Sequence, residues 1–507
     1  MSSPLEDLRA RLEAFFAAEA EREVTEEGEL LFDLRTAQFR LEENRGRLLL
    51  HLWSPQRNWV RRVLAIAEET PARLVLEVER FGRAGPARLV IAPPRRSTLS
   101  ERERATARRH FSAWLARLLA REFPRARVEG LTTAADLKRS FSGLYTRAVL
   151  TEANGRDSWA VLGVGESEDS TAVDGLLTYA LIWLDWNRRR APERVWAGLR
   201  LFVPAGRART TANRLAVLAG HLRVELYEVD AEESTCARID PGDFGNLETH
   251  LEHARVAEAV RARTRDTVAR LRALAPEDVD AHVVGGREEV ALRFRGLEFA
   301  RVTPGGVSCG LGRRPAAPAP LTEKNLRGVA ALLRSLQRER APGGPARSRW
   351  YRAQPERWLE SLAAGSPQKI DPRLAPERVL RQVPAVSAGE RGVADLLGAT
   401  RDGQLLVIEL KASTDVHLPL QALDYWLRVR WHQQRSSFAR AGYFAGLALR
   451  PEPPELLLVA PALQFHPTTE ALATYLAPAV PVTLVGINED WRREIQVVWR
   501  RRLGAGM

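Results

Sequence analysis

Hydrophobic positions along the chain follow two rhythms. Residues 30–32, 37–41, 48–53 and 73–78 are short alternating or continuous apolar runs set between turn residues and charges, and runs of this kind predict β-strands. An amphipathic helix, residues 5–22, precedes them. Residues 101–122 place Phe111, Trp114, Leu115, Leu118 and Leu119 three and four apart, as one face of a helix requires. Two strand–turn–strand patterns come next. One joins residues 147–152 to 159–165 around Asn154-Gly155, and the other joins 395–400 to 404–412 around Asp402-Gly403. Asn-Gly and Asp-Gly tolerate the positive φ of a tight hairpin turn. Each hairpin leads into a helical stretch, 173–190 and 418–435.

These two stretches align when the second is shifted back by 246 positions. Tyr425 then falls on Tyr179, Asp395 on Val149, Glu409 on Gly163, Lys411 on Gly165 and Gln421 on Gly175. Further on, Leu199-Arg-Leu-Phe-Val-Pro-Ala205 echoes Leu456-Leu-Leu-Val-Ala-Pro-Ala462, and Thr210-Thr211 echoes Thr468-Thr469. Self-similarity at a fixed period reads as an internal duplication. Residues 289–312 are again strand-like and suggest a second copy of the N-terminal β-module. Between the halves, 247–274 is helical, with His250 and His253 on one face. Pro- and Gly-rich stretches at 313–320 and 341–345 flank a helix at 321–339 and read as stiff linkers. The expected fold class is therefore mixed α/β, with tandem αβ cores that each follow a β-rich module. The expected divisions are 1–95, 96–235, 236–345 and 346–507.

A chain of 507 residues with 45% hydrophobic and 28% charged positions can bury several cores. The longest apolar run, 175–186, is broken by Asp185 and is too short to cross a bilayer. No segment reads as a signal peptide. Two cysteines, Cys236 and Cys309, are too few for a disulfide framework or a zinc ribbon. A cytoplasmic protein with no membrane partner is the expectation. A net charge of +12 favours a polyanion as partner. Trp59, Arg61 and Arg62 combine an aromatic ring with cations, a mixture suited to stacking on bases and neutralising phosphates. No phosphate-binding Gly-rich loop or nucleophile elbow occurs, which excludes an ATP motor, a dinucleotide enzyme and an esterase.

The second hairpin carries the chemistry. Side chains two apart on a strand share a face, so Glu409 and Lys411 point the same way, and Asp395 on the neighbouring strand can meet them. Two carboxylates and an ammonium gathered there are costly unless a cation or a phosphate joins them. Only four of the 76 basic residues are lysines (Lys138, Lys324, Lys369, Lys411). A lysine here answers a need that arginine does not meet, because a compact amine can act beside a water or a phosphoryl oxygen. On helix 418–435, Leu420, Leu423 and Leu427 make the packing stripe. Gln421, Tyr425, Arg428 and His432 line another stripe, which could follow a phosphate backbone.

An acid on one strand followed by Glu-x-Lys on the next resembles the PD-(D/E)XK nuclease superfamily, although Ala394 stands where that name places proline. Gln421 and Tyr425 match the Gln-x-x-x-Tyr helix of some branches. Glu356-Arg-Trp-Leu359, with Ser366-Pro367 and Ile370, is similar to the helix that precedes the sheet in the catalytic domain of NucS-type mismatch endonucleases. The likeness covers roughly residues 350–490. It implies restriction-endonuclease-like cores, of which the first is degenerate. It implies Asp395, Glu409 and Glu356 as ligands of Mg²⁺ or Mn²⁺, with Glu360 the alternative helix carboxylate. Lys411 would orient the attacking water, and Gln421 and Tyr425 would complete the site. The activity implied is hydrolysis of DNA phosphodiesters leaving a 5′-phosphate. One active and one degenerate core forming an intramolecular pseudo-dimer would cut once per binding event, so nicking or cleavage of single-stranded or branched DNA, in repair or defence, is expected. The competing expectation is a catalytically silent nucleic-acid-binding scaffold.

Overall fold

The strand-like runs assemble into four sheets among the described residues of the computed structural model. It describes residues 101–231, 233–240, 254–284, 288–311, 319–381 and 395–503, with the shorter segments 4–17, 22–26, 29–34, 38–44, 46–54, 57–70, 73–79, 86–92 and 251. His250, His253, most of the 313–320 linker and the start of the motif stretch, 392–394, lie outside them. The chain is mixed α/β and groups into two units, 1–247 with 470–477 and 248–469 with 478–507.

In the first unit, helix α1 (Pro4–Ala17) precedes strands β1 (Glu23–Glu26), β2 (Glu29–Asp33), β3 (Gln38–Asn44), β4 (Arg47–Ser54), β5 (Arg57–Glu69), β6 (Leu74–Glu79) and β7 (Pro86–Ala92). They form an antiparallel sheet in the order β2-β1-β7-β6-β5-β4-β3, whose inner face buries Leu48, Leu50, Leu52, Leu76 and Leu89 beneath Leu12 and Phe15 of α1. Then follow α2 (Glu101–Glu122), β8 (Arg127–Thr132), β9 (Thr146–Thr151), β10 (Asp157–Gly163), α3 (Ser170–Arg190), β11 (Val195–Pro204), α4 (Arg209–Leu215), β12 (Arg223–Asp230) and β13 (Thr235–Ile239).

The second unit opens with α5 (Ala254–Arg272) and a four-stranded antiparallel sheet of β14 (Val279–Val283), β15 (Val290–Phe294), β16 (Leu297–Thr303) and β17 (Gly306–Cys309). Four strands against seven means that this module does not repeat the N-terminal one. Helix α6 (Glu323–Glu339) packs Val329, Leu333 and Leu336 into the same core as this sheet. Residues 341–345 are therefore a turn between packed elements rather than a spacer. Helices α7 (Arg349–Arg352) and α8 (Pro355–Gly365) lead into β18 (Leu374–Arg381), β19 (Leu396–Thr400), β20 (Leu405–Leu410), α9 (Leu418–Gln434), α10 (Ser437–Arg440), β21 (Glu455–Pro461), β22 (Val482–Ile487) and β23 (Val497–Leu503); between β21 and β22 runs α11 (Thr469–Thr474), whose residues from 470 on are counted with the first unit.

The sheets β8–β13 and β18–β23 share one design. Each runs in chain order, paired antiparallel, antiparallel, parallel, parallel, antiparallel, with a long helix after the third strand and a short one after the fourth. Every residue of β20 is buried, as a central strand covered on both faces requires. Pairing corrects the gapless alignment. With β11 matched to β21, Leu201 pairs with Leu162 where Leu458 pairs with Glu409, so Glu409 stands at Leu162 and Lys411 at Val164, not at Gly163 and Gly165. Likewise Val161↔Ala148 matches Ile408↔Leu396, which places Asp395 at Arg147 rather than Val149. The turn accounts for one of the two residues by which Asp395 moves. Glu152 N–H bonds Asp157 O in the first hairpin and Thr400 N–H bonds Gln404 O in the second, one residue shorter.

Gly403 makes that tighter turn possible. It sits at φ +86°, and a Cβ there would fall 2.0 Å from Ala448 O. Gly403→Ala is expected to cost at least about 2 kcal/mol, from left-handed strain and backbone overlap together. Equilibrium urea unfolding measures it.

Candidate active site

Hairpin register sets the site. Leu396 pairs with Ile408 and Leu397 with Val407, so one step outward Asp395 lies across from Glu409. Leu396, Ile408 and Leu410 belong to the core that includes Trp358 and Leu359 of α8. Alternation turns Asp395, Glu409 and Lys411 to the other face, where α9 packs on β20 and β21. Leu410 N–H donates to Asp395 Oδ2 at 2.8 Å, which ties the acid to the neighbouring strand. Lys411 Nζ lies 3.9 Å from Glu409 Oε1 and 3.1 Å from Asp415 Oδ2.

Both carboxylates are deeply buried, Asp395 at 9% and Glu409 at 8% exposure. Burial pushes Glu409 up to about 7; Lys411 works against the rise, and Asp415 and Glu356 add to it. Burial, then the charges of Glu409 and Glu360, hold Asp395 well above the usual range, with Leu410 N–H pulling the other way. The second of two neighbouring carboxylates to ionise does so against the first. Burial opposes the charge on Lys411, yet Glu409 and Asp415 outweigh it and raise its pKa.

From α9, Tyr425 reaches this face with 2% exposure. Among the described residues its hydroxyl has no hydrogen-bond partner, and burial followed by the charges of Glu409 and Asp395 holds it well above its usual pKa. Arg428 counters that rise, which places its charge on the same side. Gln421 is half-buried one turn earlier, its N–H bonded to His417 O. His432 is buried against Trp431 and Phe438, so it does not line a phosphate path.

The two helix carboxylates divide the site. Glu360 is 2% exposed and accepts a 2.7 Å bond from Arg357 Nη1, and its charge bears on Asp395. Glu356, half-buried in the first turn of α8, bears on Glu409 and Lys411. In the first unit Arg147 fills the place of Asp395. It is 4% exposed, lies 4.7 Å from the Phe141 ring centre and bonds Ser142 O and Ala134 O. There a fixed guanidinium stands where the second sheet has a carboxylate.

The proposed nucleic-acid contacts at the N-terminal sheet are placed otherwise. Trp59 is 6% exposed, with Arg61 stacked over it and bonded to Glu26, while Arg62 pairs with Glu79. A buried ring offers no face to a base, because the hydrophobic term places that tryptophan in the core.

Sequence reasoning missed Asp415 and Arg147. The spacing of four between Lys411 and Asp415 was visible but lies in a loop, where spacing alone says nothing of contact. Arg147 was hidden because the gapless alignment is two residues out at this strand, only one of them from the difference between the turns. Among the described residues no three His, Cys, Asp or Glu side chains form a closed metal-holding group. Magnesium does not require one, since it commonly takes one or two carboxylates and completes its shell with water and phosphate oxygens. Asp395 and Glu409, buried together and raised toward protonation, suit that two-carboxylate arrangement. No protein-family model, curated protein or solved structure matches this chain.

Proposed function

We propose that the chain is a metal-dependent endonuclease acting on DNA phosphodiesters, with its centre at Asp395, Glu409 and Lys411. The observation that carries this reading is the buried pair of like-charged carboxylates on one face with a single ammonium beside it. Asp395 and Glu409, with Glu356, whose charge bears on Glu409, as a third, would hold Mg²⁺ or Mn²⁺. Such an ion supplies Lewis-acid polarisation and a more acidic bound water. The residues do the rest. Lys411 offers a compact positive charge to the phosphoryl oxygens as negative charge grows there. Tyr425 presents its hydroxyl, Gln421 orients from the preceding turn, and Arg428 extends positive charge toward the backbone. The excess of 76 basic over 64 acidic residues supports a polyanionic substrate. With Arg147 in the place of Asp395, the first sheet lacks an acid pair, so the one centre in each chain would cut one strand at a time.

The second reading, a catalytically silent scaffold, is favoured by the same pair seen otherwise. Two acids held toward protonation can remain in the core as neutral groups without any ion. Cleavage of end-labelled single-stranded, duplex and branched DNA, and of RNA, with Mg²⁺, Mn²⁺ or EDTA separates the two. Cutting is expected only with the metals, with 5′-phosphate ends and a nicked stage on supercoiled plasmid, and Lys411→Ala is expected to slow it at least about 100-fold. A wild type that cuts nothing, with DNA affinity unchanged in Lys411→Ala, establishes the scaffold.

A further inference from the structure

Lys411 is held more closely by Asp415 than by the glutamate of its own motif. Its Nζ lies 3.1 Å from Asp415 Oδ2 and 3.9 Å from Glu409 Oε1. The second distance is beyond a hydrogen bond, the first within one. Asp415 is itself fixed at both oxygens, because Oδ1 accepts the backbone N–H of His417 at 2.8 Å. The loop that carries it, 411–417, joins β20 to α9 and is anchored at each side: Lys411 N–H bonds Val459 O at 2.9 Å, and Thr414 Oγ1 bonds Gln464 Oε1 at 3.0 Å. An anchored carboxylate thus pins the far end of a flexible four-carbon side chain.

We infer that Asp415 is the positioning residue of the Lys411 ammonium, an inference that rests on the nuclease reading for its consequence in catalysis. Its effect is twofold. It draws the ammonium off Glu409, so that both oxygens of Glu409 are left to a divalent cation instead of being neutralised by lysine. It also engages one of the three N–H donors of Lys411, which restricts the rotation of the others and aims them at the face where a phosphate would lie. Asp415 touches neither the cation nor the substrate in this role; it works through lysine.

The test combines kinetics with an activity-independent readout. Asp415→Asn keeps the acceptor for His417 N–H and removes the charge, so the loop is preserved. It is expected to lower kcat about 10- to 100-fold on labelled DNA with Mg²⁺, with KM within about twofold, as for residues that orient a reacting group. Asp415→Glu restores part of the rate. In a Lys411→Ala background Asp415→Asn causes no further loss. Equal losses in both backgrounds, or a rise in KM alone, overturn the inference by giving Asp415 a role independent of lysine. Separately, acylation of the four lysines by an amine-reactive ester, read by mass spectrometry, is expected to be several-fold faster at Lys411 in Asp415→Asn than in wild type. Equal rates overturn the pinning itself. If wild type cuts no nucleic acid yet the labelling still differs, the nuclease reading fails and the pinning stands.

Discussion

Asp395→Asn is expected to stabilise the metal-free protein above neutral pH while abolishing metal-dependent cleavage. Glu409 is carried from 4.5 to about 7 on folding, and Asp395 well above 3.8. Between those unfolded and folded values the native state binds more protons than the unfolded chain, so stability falls as pH rises. The contribution of the pair is complete below about pH 4 and is lost as pH climbs through 7. One pKa unit corresponds to about 1.4 kcal/mol, so removing one of the two charges should return on the order of 2 kcal/mol at pH 8 in EDTA. The amide can still accept the Leu410 N–H. Mg²⁺ should raise the melting temperature of wild type more at pH 8 than at pH 5, because deprotonated carboxylates bind it, and should leave Asp395→Asn nearly unmoved. Cleavage should fall about a thousandfold or more, the scale of losing several kcal/mol of charge stabilisation. Melting curves in EDTA and in Mg²⁺ at the two pH values decide the matter. Equal curves for variant and wild type would mean that the pair is neither strained nor cation-binding.

The largest loss of stability is expected from Arg340→Met. Arg340 is fully buried and gathers carbonyls from two segments: Arg295 O at 2.9 Å on one side, and Trp350 O and Ala353 O at 2.6 Å with Gln354 O at 3.3 Å on the other. Burial, then Arg492 and Arg295, lower its pKa to about 10, so it remains charged at neutral pH. Its plane also lies over Trp358, 4.7 Å from the ring centre. Methionine occupies much of the volume and removes the guanidinium donor from the Arg295, Trp350 and Ala353 carbonyls, at about 1–3 kcal/mol each before relaxation, while Gln354 O keeps the Trp358 N–H. A total of about 4 kcal/mol or more follows, among the largest single-site effects. Gln354, at φ +43°, is the residue before α8. Losing its anchor frees the helix end that carries Glu356, so cleavage should fall along with stability. Urea unfolding and the DNA assay together test this, and a shift under about 1 kcal/mol would show that water or neighbouring donors replace the guanidinium.

Much of the architecture is written locally. Period-two and buried apolar runs marked the inner strands β9, β10 and β11, and β19, β20 and β21, while the edge strands β8, β13, β18 and β23 went unread; helix 101–122 agrees with α2 to the residue, and Asp402-Gly403 marked a turn whose left-handed glycine only the backbone demands. The shared design of the two six-stranded sheets was also legible, since matched runs such as 199–205 and 456–462 become equivalent parallel strands. Short-range signals failed where segment lengths differ between the two sheets. The gapless alignment set Asp395 on Val149, and only strand pairing put it on Arg147.

By itself, then, the sequence determined the inner strands of the two six-stranded sheets and the long helices that follow them, and that Glu409 and Lys411 share a face, because these follow from backbone periodicity within one element. Tertiary structure alone decided that Trp59 is core rather than surface, that Glu356 and Glu360 serve different acids, and that Asp415 holds Lys411. Those outcomes depend on burial and on contacts between elements, and neither free energy is encoded in the spacing of residues along a single strand or helix.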